Sequence, residues 1–315
     1  VRALILGAAG FVGQYLYRHI ADDLGWDVTV TKLENERLGF DADTRDLDIL
    51  EKDAVLALVK DVMPDVIFHL AAQSSVALSW KRPDLTVDVN VKGSLNVLEA
   101  LREYAQGVRI VLIGSGEEYG FVREDEVPVN EENPLRPGNL YALTKAAQTM
   151  AGQIYARAYG LDIVMVRAFN HIGPGQAPIF VVSDFCRQIA QMEAGRREAT
   201  LRVGNLGAKR DFTDVRDVVR AYGLLAQKGV SGTIYNVGSG QAYGIDEVLA
   251  IALKKSLVPI CVEVDPDRLR PSDVPILLAD ISKLRRDTGW EPEIPLDRSI
   301  DDTLAHWRRQ IGLES

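Results

Sequence analysis

The first thirteen residues constrain the fold more than any other stretch. Ala3-Leu4-Ile5-Leu6 is an unbroken apolar run that ends in Gly7-Ala8-Ala9-Gly10-Phe11-Val12-Gly13. Val12, Leu16, Ile20 and Leu24 then recur every four residues, as on one face of a helix. A strand buried on both faces that enters a helix through three glycines has few solutions. Gly7 permits the tight turn, Gly10 lets the backbone approach a bound group, and Gly13 lets the helix lie against the strand. The start of such a helix presents oriented N–H groups and the positive end of its dipole, which suits a pyrophosphate.

The same rhythm continues. Val28–Val30, Val66–Leu70, Arg109–Ile113 and Ile163–Val166 read as strands, and Ala54–Lys60, Val87–Tyr104 and Ala142–Tyr159 as helices. Near-continuous apolar strands alternating with helices mean a parallel sheet covered on both faces. The expected fold class is α/β, a Rossmann-type doubly wound parallel sheet with a smaller C-terminal α/β substrate-binding lobe. After Arg167 the loops lengthen and gain Gly and Pro, with helices expected at Val182–Ala194 and Val215–Gln227. Thr233–Val237 reads as a strand returning to the main sheet. The expected division is 1–168 for the dinucleotide-binding domain, with about 212–238 returning to it, and 169–211 plus 239–315 for the second lobe.

Composition narrows the function. Lys+Arg number 36 against 45 Asp+Glu, a net charge of −9, and no basic run breaks that balance. Nucleic acid and a phospholipid surface are therefore not expected partners. The four histidines show no metal-ligand spacing, so no metal site is expected. Cys186 and Cys261 are expected to be two reduced, buried thiols. No apolar stretch reaches the length of a bilayer span, and the first strand begins at once. The expectation is a cytoplasmic protein without a signal peptide.

A second constellation carries proton chemistry. Tyr141 and Lys145 are i and i+4 on a predicted helix and share one face. A nearby ammonium is expected to favour the phenolate and bring the tyrosine towards neutral pH, where it can exchange a proton. Lys145 can also hold a nicotinamide ribose. Ser115 follows the Arg109–Ile113 strand and can hydrogen-bond the same substrate oxygen. In Gly114-Ser115-Gly116-Glu117-Glu118-Tyr119-Gly120, Glu117 is either a base or a carboxylate bonding local backbone.

These residues resemble the extended short-chain dehydrogenase/reductase family: GxxGxxG spacing at Gly7, Gly10 and Gly13, with a Ser115, Tyr141, Lys145 triad. The resemblance implies that Gly7, Gly10, Phe11, Val12 and Gly13 hold a dinucleotide. It implies that Asp48 and Ile49 flank the adenine, that Leu70-Ala71-Ala72 passes under the cofactor, and that Tyr141 and Lys145 reach the nicotinamide end. Where an acid often ends the second strand, this chain has Thr31 and Lys32. Lys32 is either a partner for a 2′-phosphate or a solvated loop cation, so the cofactor is NADP(H) or NAD(H), with a lean to NADPH.

Arg167-Ala168-Phe169-Asn170-His171-Ile172-Gly173-Pro174-Gly175-Gln176 and the closing Thr288-Gly289-Trp290-Glu291-Pro292 look like the GDP-4-dehydro-6-deoxy-D-mannose reductases. That likeness implies Ser74, Ser115, Asn170, Arg210 and Arg270 as substrate contacts, the two arginines for a diphosphate. His171 is either a substrate contact or a loop-packing residue. The implied reaction is reduction of the C4 keto group of a GDP-4-keto-6-deoxyhexose. The alternative is an NAD-retaining 4-epimerase or 4,6-dehydratase, and the remote one a non-catalytic dinucleotide sensor. Gly116 and Gly207 depart from the pattern, which has Ser and commonly an acid there. A homodimer through the helices Val87–Tyr104 and Ala142–Tyr159 is also implied.

Overall fold

The computed structural model describes residues 1–268 and 274–313. The first half alternates strand and helix as expected, through β1 (Arg2–Leu6), β2 (Asp27–Lys32), β3 (Asp43–Asp46), β4 (Val66–His69), β5 (Arg109–Ser115) and β6 (Ile163–Ala168). The chain then leaves for a second lobe through β7 (Asn170–Ile172), β8 (Thr200–Val203) and β9 (Lys209–Asp214), and comes back as β10 (Ile234–Val237). It ends through β11 (Ala242–Gly244), β12 (Cys261–Val264) and β13 (Ile276–Leu277).

Among the described residues the main sheet has seven strands in the order β10-β6-β5-β4-β1-β2-β3, and every pairing in it is parallel. Alternation along each strand builds two cores. Ala3, Ile5, Val111 and Val164 face one side and pack with Leu16, Ile20, Tyr222 and Leu225 from the helices Phe11–Arg18 and Val215–Lys228 and the turn after the first. Leu4, Leu6, Ile110, Leu112, Ile163 and Met165 face the other and pack with Val97, Leu98 and Leu101 of the helix Ser94–Tyr104. Each of the fully buried Val, Leu, Ile and Met side chains contributes about 1.5–3 kcal/mol, and truncating Leu16 to Ala would cost roughly 2–5 kcal/mol.

β3 was not expected. Its residues, Asp43-Thr44-Arg45-Asp46, are polar and mostly exposed because the strand is the sheet's edge, where charge blocks further pairing. In the second lobe β9 pairs with β7, β11 and β13, and β8 pairs separately with β12. Phe185, Ile189, Leu201, Val248, Ile300 and Leu304 form its core. One expectation fails here: Cys186 is buried, but Cys261 lies on the exposed strand β12. No described helix is long and apolar enough to cross a membrane.

Candidate active site

The register of the parallel strands brings the sites implied by the sequence to one edge. Leu6 is paired with His69, His69 with Leu112, Ser115 with Ala168, and Ala168 with Val237. The strand order reverses between β1 and β4, and ligands of open parallel sheets bind at such a point beyond the carboxyl ends of the strands.

At β1 the turn has φ +82° at Gly7, and a Cβ there would lie 2.6 Å from the Ala71 Cα. A Cβ on Gly13 would lie 2.2 Å from the Ala8 carbonyl oxygen, so only glycine lets the helix seat so close to the turn. A Cβ on Gly10 would meet only the Gly7 carbonyl oxygen, at 3.6 Å, and Gly10 begins the helix Phe11–Arg18 with no side-chain cap; the Gly13 N–H donates to the Gly10 carbonyl at 3.1 Å, and no side chain of the cap takes the N–H groups before it. Thr31 steadies the turn, its Oγ1 accepting from the Gly7 N–H at 3.1 Å and its carbonyl from the Ala8 N–H at 2.8 Å. This cradle fits a dinucleotide pyrophosphate: its walls are backbone, and a side chain on Gly7 or Gly13 would collide with Ala71 or with the Ala8 backbone and force the turn and helix apart. Ala71 lies directly under Gly7, between Leu70 and Ala72. Ile49 is buried against Gly93, while Asp48 is exposed and accepts from the Leu50 N–H at 2.9 Å.

Lys32 ends β2, and its ammonium donates to an Asp46 carboxylate oxygen and, at 3.2 Å, to the Leu33 carbonyl. It is thus neither a bare anion partner nor merely solvated, because the unexpected strand β3 sets an acid beside it.

The proton-transfer residues meet where β5 ends. Ser115 is extended and caps a short 3₁₀ turn, Gly116–Tyr119, its Oγ accepting from the Glu117 N–H at 3.2 Å. That leaves the hydroxyl proton for another acceptor. Asn139 caps the helix Leu140–Tyr159, its Oδ1 accepting from the Ala142 N–H at 2.8 Å, and so places Tyr141 in the first turn. Lys145, one turn on, donates to the Ile113 carbonyl at 2.7 Å and to Gln148 Oε1 at 2.9 Å. Tyr141 and Lys145 are both buried.

The electrostatics reverse the expected sign for Tyr141. Burial pushes the phenol above its ordinary value; the Ser115 hydroxyl beside it acts the other way, and the Glu117 and Glu118 carboxylates raise it further. Burial also drives Lys145 down to about 8, with Glu118 opposing. The i,i+4 spacing holds, but the ammonium is committed to a carbonyl and an amide, and desolvation dominates in this dry corner. The chain therefore keeps the phenol protonated, ready to donate. Behind Lys145, His69 is fully buried and pushed down to about 3, so it is neutral.

Glu117 is half-buried and accepts from Asn139 Nδ2 at 3.2 Å, linking the serine turn to the cap of the tyrosine helix. At Gly116 a Cβ would meet the Phe169 ring at 3.1 Å. Glu118, absent from the residues the sequence marks as catalytic, is signalled there only by the capping-box pattern Ser115-x-x-Glu118.

On the substrate side, Asn170 lies in β7 opposite Phe212. His171 stacks on the Phe11 ring, with centroids 6.1 Å apart, and its Nδ1 is 3.1 Å from the Phe169 carbonyl, so it packs the second lobe onto the glycine turn. The half-buried Arg210 donates to the Val274 carbonyl at 2.7 Å and so holds the segment after 273. Ser74 is exposed just past β4. Arg270 lies outside the described residues.

The chain is similar to known proteins over nearly its whole length. A family model described as GDP-mannose 4,6 dehydratase matches residues 4–303. The chain belongs to the GDP-mannose 4,6-dehydratase family. Among curated relatives of this family, the GDP-6-deoxy-D-mannose reductase of Pseudomonas aeruginosa is 33% identical over 99% of both chains. The structure of RMD from Pseudomonas aeruginosa complexed with NADPH superposes with a TM-score of 0.88, at 32% identity over 98% of this chain and 99% of that one. The Thermus thermophilus UDP-glucose 4-epimerase in complex with NAD gives 0.87, at 31% identity over the same shares. The short-chain dehydrogenase/reductase resemblance and the Rossmann-type fold class are borne out, as is the expected NADP(H) or NAD(H) cofactor class.

Proposed function

We propose that the protein reduces the C4 keto group of a GDP-4-keto-6-deoxyhexose to the alcohol, with NADPH as the favoured reductant. The observation that carries this reading is the meeting of Ser115, Tyr141 and Lys145 on the sheet edge that also bears the glycine cradle. Residues 1–168 with 212–238 would hold the dinucleotide, through Gly7, Gly10, Phe11, Val12 and Gly13, Lys32, Asp48 and Ile49, and Leu70 to Ala72. When bound, the reduced nicotinamide supplies the hydride. The second lobe, 169–211 and 239–315, would hold the sugar nucleotide, with Ser74, Asn170, Arg210 and Arg270 as contacts.

In this reading Tyr141 donates its proton to the C4 oxygen as negative charge develops there, and Ser115 donates a hydrogen bond to the same atom. Lys145 holds the ribose and keeps positive charge close to the phenolate left behind. Burial excludes water from this corner, which strengthens each interaction. The test is NADPH oxidation that depends on GDP-4-keto-6-deoxymannose. No turnover with any nucleoside-diphosphate 4-keto sugar would overturn the assignment.

A second reading, an NAD-retaining epimerase or dehydratase, draws support from the family model and from Glu117, which faces the same corner. Gly116 argues against the dehydratase that uses an acid at that position. Purified protein carrying near-stoichiometric NAD, active without added reductant, would favour this reading. Retention of the Tyr141–Lys145 pair argues against a non-catalytic sensor.

A homodimer in the cytoplasm completes the proposal. Leu143, Met150 and Ile154 are 51, 49 and 58% exposed and fall on one stripe of the helix Leu140–Tyr159. Val87 is likewise exposed on the neighbouring helical segment. An apolar stripe of this kind supports a partner copy, and the acidic net charge supports a partner set without nucleic acid. The molar mass in solution, compared with that of Met150→Glu/Ile154→Glu, tests the dimer.

A further inference from the structure

We propose that Glu118 is a positioning residue of the reaction: its buried carboxylate fixes Ser115 against the Tyr141 helix and is the counter-charge of the proton-transfer corner. The proposal rests on reading Ser115, Tyr141 and Lys145 as the proton-transfer group.

The carboxylate ties three elements together. One oxygen accepts from the Ser115 backbone N–H at 2.9 Å and from Thr149 Oγ1 at 3.0 Å. Thr149 is two turns beyond Tyr141 and one beyond Lys145, on the face of the helix that carries both. The other oxygen accepts from Arg167 Nε at 3.0 Å, on β6. The serine at the end of β5 and the helix of the tyrosine are thus bonded to the same oxygen atom.

Capping alone does not explain this arrangement. A capping box needs only a carboxylate at the protein surface. Here the Glu118 side chain is 0% and the Arg167 side chain 4% exposed, and an ion pair so buried is a costly way to finish one turn. The pair is also fully bonded. Arg167 donates on to the Tyr119 hydroxyl at 3.0 Å and the Glu131 carbonyl at 3.1 Å, and Tyr119 donates to Asn236 Oδ1 at 2.7 Å. A network with every member satisfied is rigid. Position 114 has to be glycine beside it, since a Cβ there would lie 2.3 Å from the Glu118 oxygen.

The same charge acts on both titrating groups. Burial pushes the Glu118 carboxyl up, and the Arg167 charge and the bonds from Ser115 and Thr149 act the other way; once ionised, as on the alkaline limb, it raises the phenol of Tyr141 and supports the ammonium of Lys145. The other titratable groups around the corner are Glu117 and Tyr119 on the same turn, Arg167 on β6, His69 on β4, Tyr222 on the helix Val215–Lys228, and Glu131.

The test is Glu118→Gln in the full chain, assayed with NADPH and GDP-4-keto-6-deoxymannose across pH. Removing the carboxylate favours phenolate and disfavours ammonium, so both groups titrate at lower pH. The expected result is a plateau kcat lower by on the order of ten- to a hundredfold, with KM nearly unchanged. The alkaline limb of the kcat profile moves down by about one pH unit. Glu118→Asp, which keeps the charge but shortens the reach, returns the limb to the wild-type pH while kcat stays low. If Glu118→Gln does not fold, Glu118→Gln/Arg167→Gln removes both buried charges and is expected to show the same two changes. A wild-type plateau kcat, or a limb that stays in place, overturns the proposal. A Tyr141→Phe protein with wild-type activity overturns the underlying reading; an inactive Tyr141→Phe beside an unshifted Glu118 variant overturns this inference alone.

Discussion

The carboxyl edge of the main sheet has two charged corners built on opposite terms. Where β5 ends, Tyr141, Lys145 and Glu118 are buried, and desolvation is the largest influence on each of them. Where β2 and β3 end, the Lys32 and Asp46 side chains are 18 and 55% exposed. One corner is dry and the other wet. A charge in the dry corner changes which protonation state exists; a charge in the wet one mainly adjusts how strongly an anion is held, and salt screens it. The dry corner suits proton transfer, and the wet one suits a choice between two cofactors.

That contrast can be broken by experiment, starting where the effect should be greatest. Lys145→Met is expected to lower kcat by about a thousandfold, with retained NADPH fluorescence quenching showing that the cradle is intact. Ser115→Ala is expected to cost about ten- to a hundredfold in kcat, because the Tyr141 phenol remains as donor. The pH profile comes next. Lys145 titrates at about 8 and Tyr141 above its ordinary value, and the active form carries the proton on both. Activity should therefore hold below pH 8 and fall as pH rises through it, at a midpoint insensitive to salt. A midpoint that moves with ionic strength would mean that the corner is wet. The smallest effect belongs to the open corner. Asp46→Asn frees the Lys32 ammonium and should tighten NADPH relative to NADH by about three- to tenfold, a preference that shrinks at high salt.

How much of this could be read in the sequence follows the same division. The buried strands were legible because apolar runs report burial directly, and the glycine cradle because no side chain fits at Gly7 or Gly13. The Tyr141–Lys145 spacing was legible because helix geometry fixes it. The sign of the Tyr141 shift was not, since it depends on how dry the corner is and on where the ammonium points. β3 escaped because an edge strand carries no apolar pattern, and with it went the partner of Lys32. Glu118 was visible as half of a capping box, but its larger role needs Arg167, 49 residues further on.

The central claim is that the Tyr141 phenol delivers the proton to the reduced carbonyl. Single-turnover reduction of GDP-4-keto-6-deoxymannose by the Tyr141→Phe protein preloaded with NADPH tests it most directly. The account predicts NADPH binding within about twofold of wild type and a rate lower by at least about a thousandfold. A Tyr141→Phe rate within about tenfold of wild type would contradict it.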